Sequence, residues 1–175
     1  MEYLYADGAR LAYALASAGN DVSLRDLSAL CDAYTVGGTK CGALFGEAVV
    51  IPDKRLLPYF FTQIKQHGAL LAKGFALGAQ FGALFQNGLY GRIGRPAIEA
   101  ADRIRKALRE KGYALSPETP TNQIFVLLEN AVYERLSREV ALGFWEQPDD
   151  AHTVARIATS WATTPEETDA LLQKL

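Results

Sequence analysis

The sequence has few cysteines, few histidines and no excess of either charge, and each shortage excludes something. Two cysteines in 175 residues, Cys31 and Cys41, form no CxxC pair and are too few to staple a small secreted scaffold. They argue for a reducing, cytoplasmic setting and leave no structural metal site legible. Eighteen basic against 20 acidic residues give a formal charge of -2, so there is no general electrostatic reason to expect a nucleic-acid or anionic-membrane partner. No segment repeats at a solenoid period and none is of low complexity. The apolar run between Lys73 and Gln86 is broken by Gln80 and falls short of the roughly 20 residues that cross a bilayer. The first residues lack the basic and apolar regions of a signal peptide.

What is present is 49% hydrophobic and 22% charged, enough for a core in one or two small domains and far from a disordered composition. Tyr3-Leu4-Tyr5-Ala6 reads as a buried strand. A strand buried on both faces needs neighbours, which suggests that a preceding half is missing or sits on another chain. Leu11 to Ser17 is an alanine-rich helix that stops near Gly19, Ser23 caps a helix through Leu30, and Ala33 to Val36 is a second strand. A hairpin of Ala43-Leu44-Phe45 with Ala48 to Ile51 across Gly46-Glu47 is expected next. From Lys54 to about Gln86 the pattern is helical with a break at His67-Gly68. Gly74, Gly78 and Gly82 form one stripe against which another backbone can approach.

Ala97 to Lys111 is an amphipathic helix whose arginines read as solvated, ending at Gly112. Gln123 to Leu128 is a strand, Ala131 to Glu139 a helix, Gly143 to Glu146 and Val154 to Ser160 two further strands, and Pro165 opens a last helix capped by Thr164. Strands alternating with helices make this a small α/β chain. Tyr34 and Trp161 read as core residues, and Cys41 as a small buried filler. His67 and His152 read as solvent-facing or capping residues.

Three charges stand where irregular backbone meets strand ends: Asp7, Lys40 and Arg156. In open α/β sheets ligands bind at the carboxyl ends of the strands. A carboxylate directly after an apolar strand is costly unless it meets a cation or several donors. Around Lys40 the glycines Gly37, Gly38 and Gly42 let a planar group come close to the backbone. A lysine amine can form a Schiff base with an aldehyde cofactor while a carboxylate keeps a pyridine nitrogen protonated, the pair that pyridoxal 5'-phosphate (PLP) requires. From spacing alone, Asp7 as a helix cap with Lys40 as a surface lysine, and Arg156 in a strand-edge salt bridge, explain the same residues.

Four segments carry a resemblance: Tyr5-Ala6-Asp7-Gly8-Ala9-Arg10-Leu11, Gly37-Gly38-Thr39-Lys40-Cys41-Gly42-Ala43, Thr121-Asn122-Gln123-Ile124-Phe125 and Arg156-Ile157-Ala158-Thr159-Ser160-Trp161. In order and spacing they resemble the low-specificity threonine aldolases, relatives of the β-eliminating lyases within the aspartate-aminotransferase-like PLP enzymes of fold type I. The resemblance runs over nearly the whole chain, and four motifs in register are far more specific than one. It implies the C-terminal part of a fold type I large domain over residues 1-90, followed by a small C-terminal α/β domain over 91-175.

It also implies that Lys40 is the Schiff-base lysine and the catalytic residue, and that Asp7 is the partner of the pyridine nitrogen. Arg10 would lie in the cofactor pocket and, with Arg156, hold the substrate carboxylate. The reaction would be reversible cleavage of a β-hydroxy-α-amino acid such as threonine or allo-threonine into glycine and acetaldehyde. The family carries an N-terminal segment of comparable size, with the phosphate-binding loop and the group stacked on the cofactor ring, that this chain does not match. A complementary N-terminal half or chain, an amino-acid substrate and a homo-oligomer are therefore the expected partners. Two alternatives stay open: a non-catalytic assembly module that docks through an exposed sheet edge, and a PLP enzyme of different reaction, a β-eliminating lyase or aminotransferase.

Overall fold

Glycine-punctuated apolar runs build the first sheet. In the computed structural model, which describes residues 2-175, β1 (Tyr5–Ala6), α1 (Leu11–Ala16), α2 (Leu24–Leu30), β2 (Ala33–Gly37), β3 (Glu47–Val50), α3 (Phe60–Gln66) and α4 (Phe75–Phe85) follow in order. The sheet runs β1-β2-β3. β1 and β2 are parallel, with Ala6 opposite Tyr34, and the two helices between them supply the crossover that a parallel pair needs. β3 returns antiparallel to β2, with Thr35 opposite Val49. Tyr34, Val36, Cys41, Leu84 and Tyr90 form the buried cluster with Ala12 and Cys31.

Ser23 closes α2 with a full capping box. Its hydroxyl accepts from the Asp26 amide and the Asp26 carboxylate accepts from the Ser23 amide at 2.8 Å. The Ser23 hydroxyl, then the Ser23 amide, hold the Asp26 carboxyl below its ordinary value. Thr164 does the same for the last helix, with the Thr164 amide 2.9 Å from the Glu167 carboxylate. Thr164→Ala is expected to lower stability by about 1 kcal/mol, read as a shift of the urea midpoint at unchanged slope.

One expectation for this part is corrected. Ala43-Leu44-Phe45 is not a strand; β3 pairs with β2 instead, because Gly42 and Gly46 take left-handed φ of 109° and 96° and turn the chain out of the extended region on both sides of it. As expected of an apolar strand whose neighbours lie outside this chain, Tyr3, Leu4 and Tyr5 are exposed at the open edge of the sheet. On α4, a Cβ at Gly78 or Gly82 would have nothing within 4 Å among the described residues, which leaves that part of the stripe open to another backbone.

The second sheet is antiparallel throughout, in the order β4-β5-β7-β6. Its elements are α5 (Arg95–Glu110), β4 (Ala114–Leu115), β5 (Gln123–Glu129), α6 (Asn130–Ser137), β6 (Gly143–Glu146), β7 (His152–Ala158) and α7 (Pro165–Leu172). The two sequence periods meet in its core. Ala101, Ile104 and Leu108 repeat at helical spacing along α5, Ile124, Val126 and Leu128 alternate along β5, and Leu136, Ala155 and Ile157 complete the cluster. Two expectations fail here. Arg105 on α5 is buried rather than solvated, and Trp161 is 44% exposed rather than a core residue.

The chain divides into two compact units, Met1–Leu15 with Asn20–Ile93 and Ala16–Gly19 with Gly94–Leu175. Among the described residues no helix is long and apolar enough to cross a membrane.

Candidate active site

Two glycines let the ends of β1 and β2 close on each other. The Gly8 amide donates to the Thr35 hydroxyl and the Gly37 amide to the Gly8 carbonyl, both at 2.9 Å. A Cβ at Gly8 would stand 1.8 Å from the Thr35 carbonyl oxygen, and one at Gly37 would stand 2.5 Å from the Ala9 carbonyl oxygen. No other residue fits either place. This closure brings the segments after the two strands, Asp7 to Arg10 and Thr39–Cys41, to the carboxyl end of one parallel pair.

Asp7 is exposed, and its Oδ1 accepts from the Ala9 amide at 2.9 Å. That is an Asx turn rather than a cap on α1, which starts only at Leu11. Arg10 is half-buried in the last turn before α1. Lys40 is exposed in the middle of a 3₁₀ turn, Thr39–Cys41, and its backbone carbonyl accepts the hydroxyl of Tyr13 from α1. Among the described residues none of Asp7, Arg10 and Lys40 is in an ion pair. A carboxylate, a guanidinium and an amine thus stand on adjoining segments at one strand-end, unneutralised by one another.

Arg156 belongs to the other unit. It lies on β7, opposite Phe125 of β5 and Gly143 of β6. Because β7 is flanked on both sides, the strand-edge salt bridge is ruled out as an explanation: the strand is interior, and among the described residues Arg156 makes no ion pair. Its side chain is half-buried and lies against Gly143, where a Cβ would stand 3.5 Å from Nε.

The remaining reactive groups have local roles. His67 caps the end of α3, and His152 faces Asp149 with Nδ1 at 2.9 Å from Oδ1. The His152 side chain, then backbone amides, hold the Asp149 carboxyl below its ordinary value. Cys41 is buried against the Gly37 and Gly38 carbonyls, and burial pushes its thiol up to about 11. A raised thiol pKa means that the folded state resists ionisation. Its contribution to stability is full below the ordinary value near 9 and is lost as pH climbs toward 11. Native Cys41 is therefore expected to stay unalkylated by iodoacetamide at pH 8, a pH at which the unfolded chain reacts, as mass spectrometry of the modified peptide will show.

Two residues that the sequence pattern did not single out stand next to this site. Tyr13 and Tyr90 are almost fully buried, and both hydroxyls end on backbone carbonyls of the Gly37–Lys40 stretch. Their one signal in the sequence is a phenol inside an apolar pattern, which needs a partner when buried.

No family model matches the chain. In sequence it is 27% identical over 174 residues to the low specificity L-threonine aldolase of Pseudomonas aeruginosa, an alignment that covers 99% of this chain and 49% of that protein. In structure it is similar to the threonine aldolase of Leishmania major, at 37% identity and a TM-score of 0.93 over 98% of this chain and 50% of that one. Sphingomonas wittichii serine palmitoyltransferase has the same fold over 97% of this chain and 45% of its own, at 15% identity and a TM-score of 0.67; such transferase structures hold PLP. The fold is that of part of a fold type I PLP-dependent enzyme. In sequence and fold the chain is similar to the threonine aldolases, and it spans about half, or less, of the length of the curated relatives it matches.

Proposed function

We propose that this chain is the lysine-bearing part of a PLP-dependent lyase that cleaves a β-hydroxy-α-amino acid, threonine or allo-threonine, into glycine and acetaldehyde. The observation that carries the reading is the uncompensated set Asp7, Arg10 and Lys40 at the joined ends of β1 and β2, on the motifs shared with the threonine aldolases. That donor set fits the cofactor: an exposed primary amine suits an aldehyde carbon, and a carboxylate suits a protonated pyridine nitrogen.

Lys40 would hold PLP through its ε-amino group, and Asp7 would keep a proton on the ring nitrogen. When bound, PLP supplies a sink for the electron pair released as the Cα–Cβ bond breaks. The Arg10 guanidinium would grip the substrate carboxylate in two parallel hydrogen bonds and so orient the Cα–Cβ bond. Arg156, half-buried and in no ion pair among the described residues, is assigned to the same carboxylate on the strength of the motif it sits in. The phosphate cradle comes by this reading from a complementary N-terminal half, and the working molecule is a homo-oligomer. The twofold length of the relatives is consistent with the first of these, and the bare apolar edge at Tyr3 to Tyr5 is where further chain would dock. The unpaired Cys31 and Cys41 support a cytoplasmic setting.

The test is to add PLP to the chain, alone and together with the N-terminal half of a threonine aldolase, and to record visible absorbance and acetaldehyde release from threonine. A bound-cofactor band is expected, together with acetaldehyde release in the complemented protein, and Lys40→Ala should abolish both. A complemented protein in which no band depends on Lys40 overturns the enzyme reading in favour of an assembly module. A band without acetaldehyde points to the lyase or aminotransferase chemistry.

A further inference from the structure

Lys40 sits in a segment ill suited to hold anything still. Gly37, Gly38, Gly42 and Gly46 surround it, and glycine gives the backbone more conformational freedom than any other residue. The Lys40 side chain is exposed and, among the described residues, in no ion pair. Whatever fixes the ε-amino group must therefore act on the backbone.

Two buried phenols do so from opposite directions in sequence. Tyr13 comes from α1, 27 residues earlier, and its hydroxyl donates to the Lys40 carbonyl. Tyr90, 53 residues after Gly37, donates to the Gly37 carbonyl at 2.9 Å. Each is at most 2% exposed, and Phe85 stacks on Tyr90 with ring centroids 5.2 Å apart, so neither ring can swing away. Between the two anchors the Gly38 carbonyl accepts from the Cys41 and Ala43 amides at 3.0 Å, which closes the 3₁₀ turn on itself. Tyr13 also lies on the helix that begins directly after Asp7 and Arg10. A single hydroxyl therefore ties the carboxylate-bearing segment to the amine-bearing one.

We infer that Tyr13 and Tyr90 are positioning residues for Lys40: they clamp the backbone on either side of the lysine, and Tyr13 sets the reach between its amine and the Asp7 carboxylate. The inference rests on the assignment of Lys40 to PLP proposed above. The hydroxyls take no part in bond making. They hold the turn at one width, so that a ring bridging Lys40 and Asp7 meets both at once, which is preorganisation of the kind that raises affinity without a new contact.

The test uses the full chain with Tyr13→Phe and Tyr90→Phe, which keep the rings and remove the hydroxyls. PLP is titrated in and trapped with borohydride, the pyridoxylated lysines are located by mass spectrometry, and amide hydrogen exchange is followed over residues 37-43. Wild type is expected to be labelled first at Lys40. Tyr13→Phe should weaken that labelling roughly 5- to 160-fold, the range for a buried acceptor left without its donor, and speed exchange over 39-43. Labelling at Lys106 and Lys174, far along the sequence, serves as the internal standard and should not change. Tyr90→Phe should speed exchange around Gly37 with a smaller loss of labelling. Preferred labelling of Lys40 that both variants leave unchanged overturns the clamp and leaves the proposed function standing. Wild type that shows no preference for Lys40, alone or complemented with the N-terminal half, overturns both. An equal loss of labelling at all lysines, or faster exchange across the whole chain, means that the hydroxyls only stabilise the fold, and also overturns the clamp.

Discussion

Gly8→Ala is expected to cost about 3–5 kcal/mol and to open the first sheet, the largest single-methyl effect in the chain. The added carbon would lie 1.8 Å from the Thr35 carbonyl oxygen and 2.8 Å from its carbon. Those are backbone atoms of β2, between β1 and β3, so no rotamer change relieves the clash. Overpacking of a core costs about 1–3 kcal/mol where side chains can give way. Here the two strand ends must part instead, which also breaks the Gly8 to Thr35 and Gly37 to Gly8 hydrogen bonds, each worth about 0.5–1.5 kcal/mol. Gly78→Ala makes the control. It adds the same methyl in mid-helix, where nothing lies within 4 Å, and should raise stability by about 0.5–1 kcal/mol. Urea denaturation followed by circular dichroism separates the two. A Gly8→Ala protein within about 1 kcal/mol of wild type would show that β1 does not close on β2 as described. Because Asp7 and Arg10 flank Gly8, the same variant should lose Lys40-dependent PLP binding even under conditions where it remains folded.

How much of this was legible beforehand depended on the range of the interaction. Both capping boxes lie within four residues, and Ser23 and Thr164 were readable as caps. The periods of α5 and β5 are local too, and the residues they mark as apolar are those that meet in the second core. Asp7 and Lys40 could be picked out because a charge after a short apolar run marks the end of a strand, which needs no knowledge of what lies opposite. The hairpin at Ala43 failed because alternation is a weak signal over three residues, and the left-handed glycines on either side of it outweighed it. The first strand was legible as an apolar strand in want of a neighbour, but its residues announce burial without naming what would cover them. Tyr13 and Tyr90 were invisible for a related reason: the acceptor of each hydroxyl is a main-chain carbonyl 27 or 53 positions away, and carbonyls carry no sequence. A family resemblance supplies side chains in motifs, but not the props behind them.

Arg105 is the clearest case of a long-range partner reversing a local reading, and its removal should be the largest polar effect in the second unit. Its neighbours on α5 are solvated charges: Lys106 and Glu110 pair at 3.8 Å with both side chains largely exposed, a bond worth a few tenths of a kcal/mol at most. Arg105 follows the same charged pattern yet is 4% exposed, because it adjoins the buried stripe of Ala101, Ile104 and Leu108. Its guanidinium spans two acceptors at 2.6 Å, the Thr121 carbonyl and the Asp102 carboxylate. Arg105→Met keeps the apolar stem and removes the charge. Asp102 can rehydrate, since its side chain is mostly exposed, but the Thr121 carbonyl loses a charged donor in a partly buried place, and the loss should be about 2–4 kcal/mol. Lys106→Met should stay within about 0.5 kcal/mol. The difference should survive 1 M salt, which screens exposed pairs and leaves buried ones. Trp145, edge-on to Phe125 of β5, reports the unfolding of this unit by fluorescence. Thr121 and Asn122 lead directly into β5, so Arg105 ties the loop that starts that strand to α5. If Arg105→Met proves as mild as Lys106→Met, the loop is held by other means and the buried guanidinium is incidental to it.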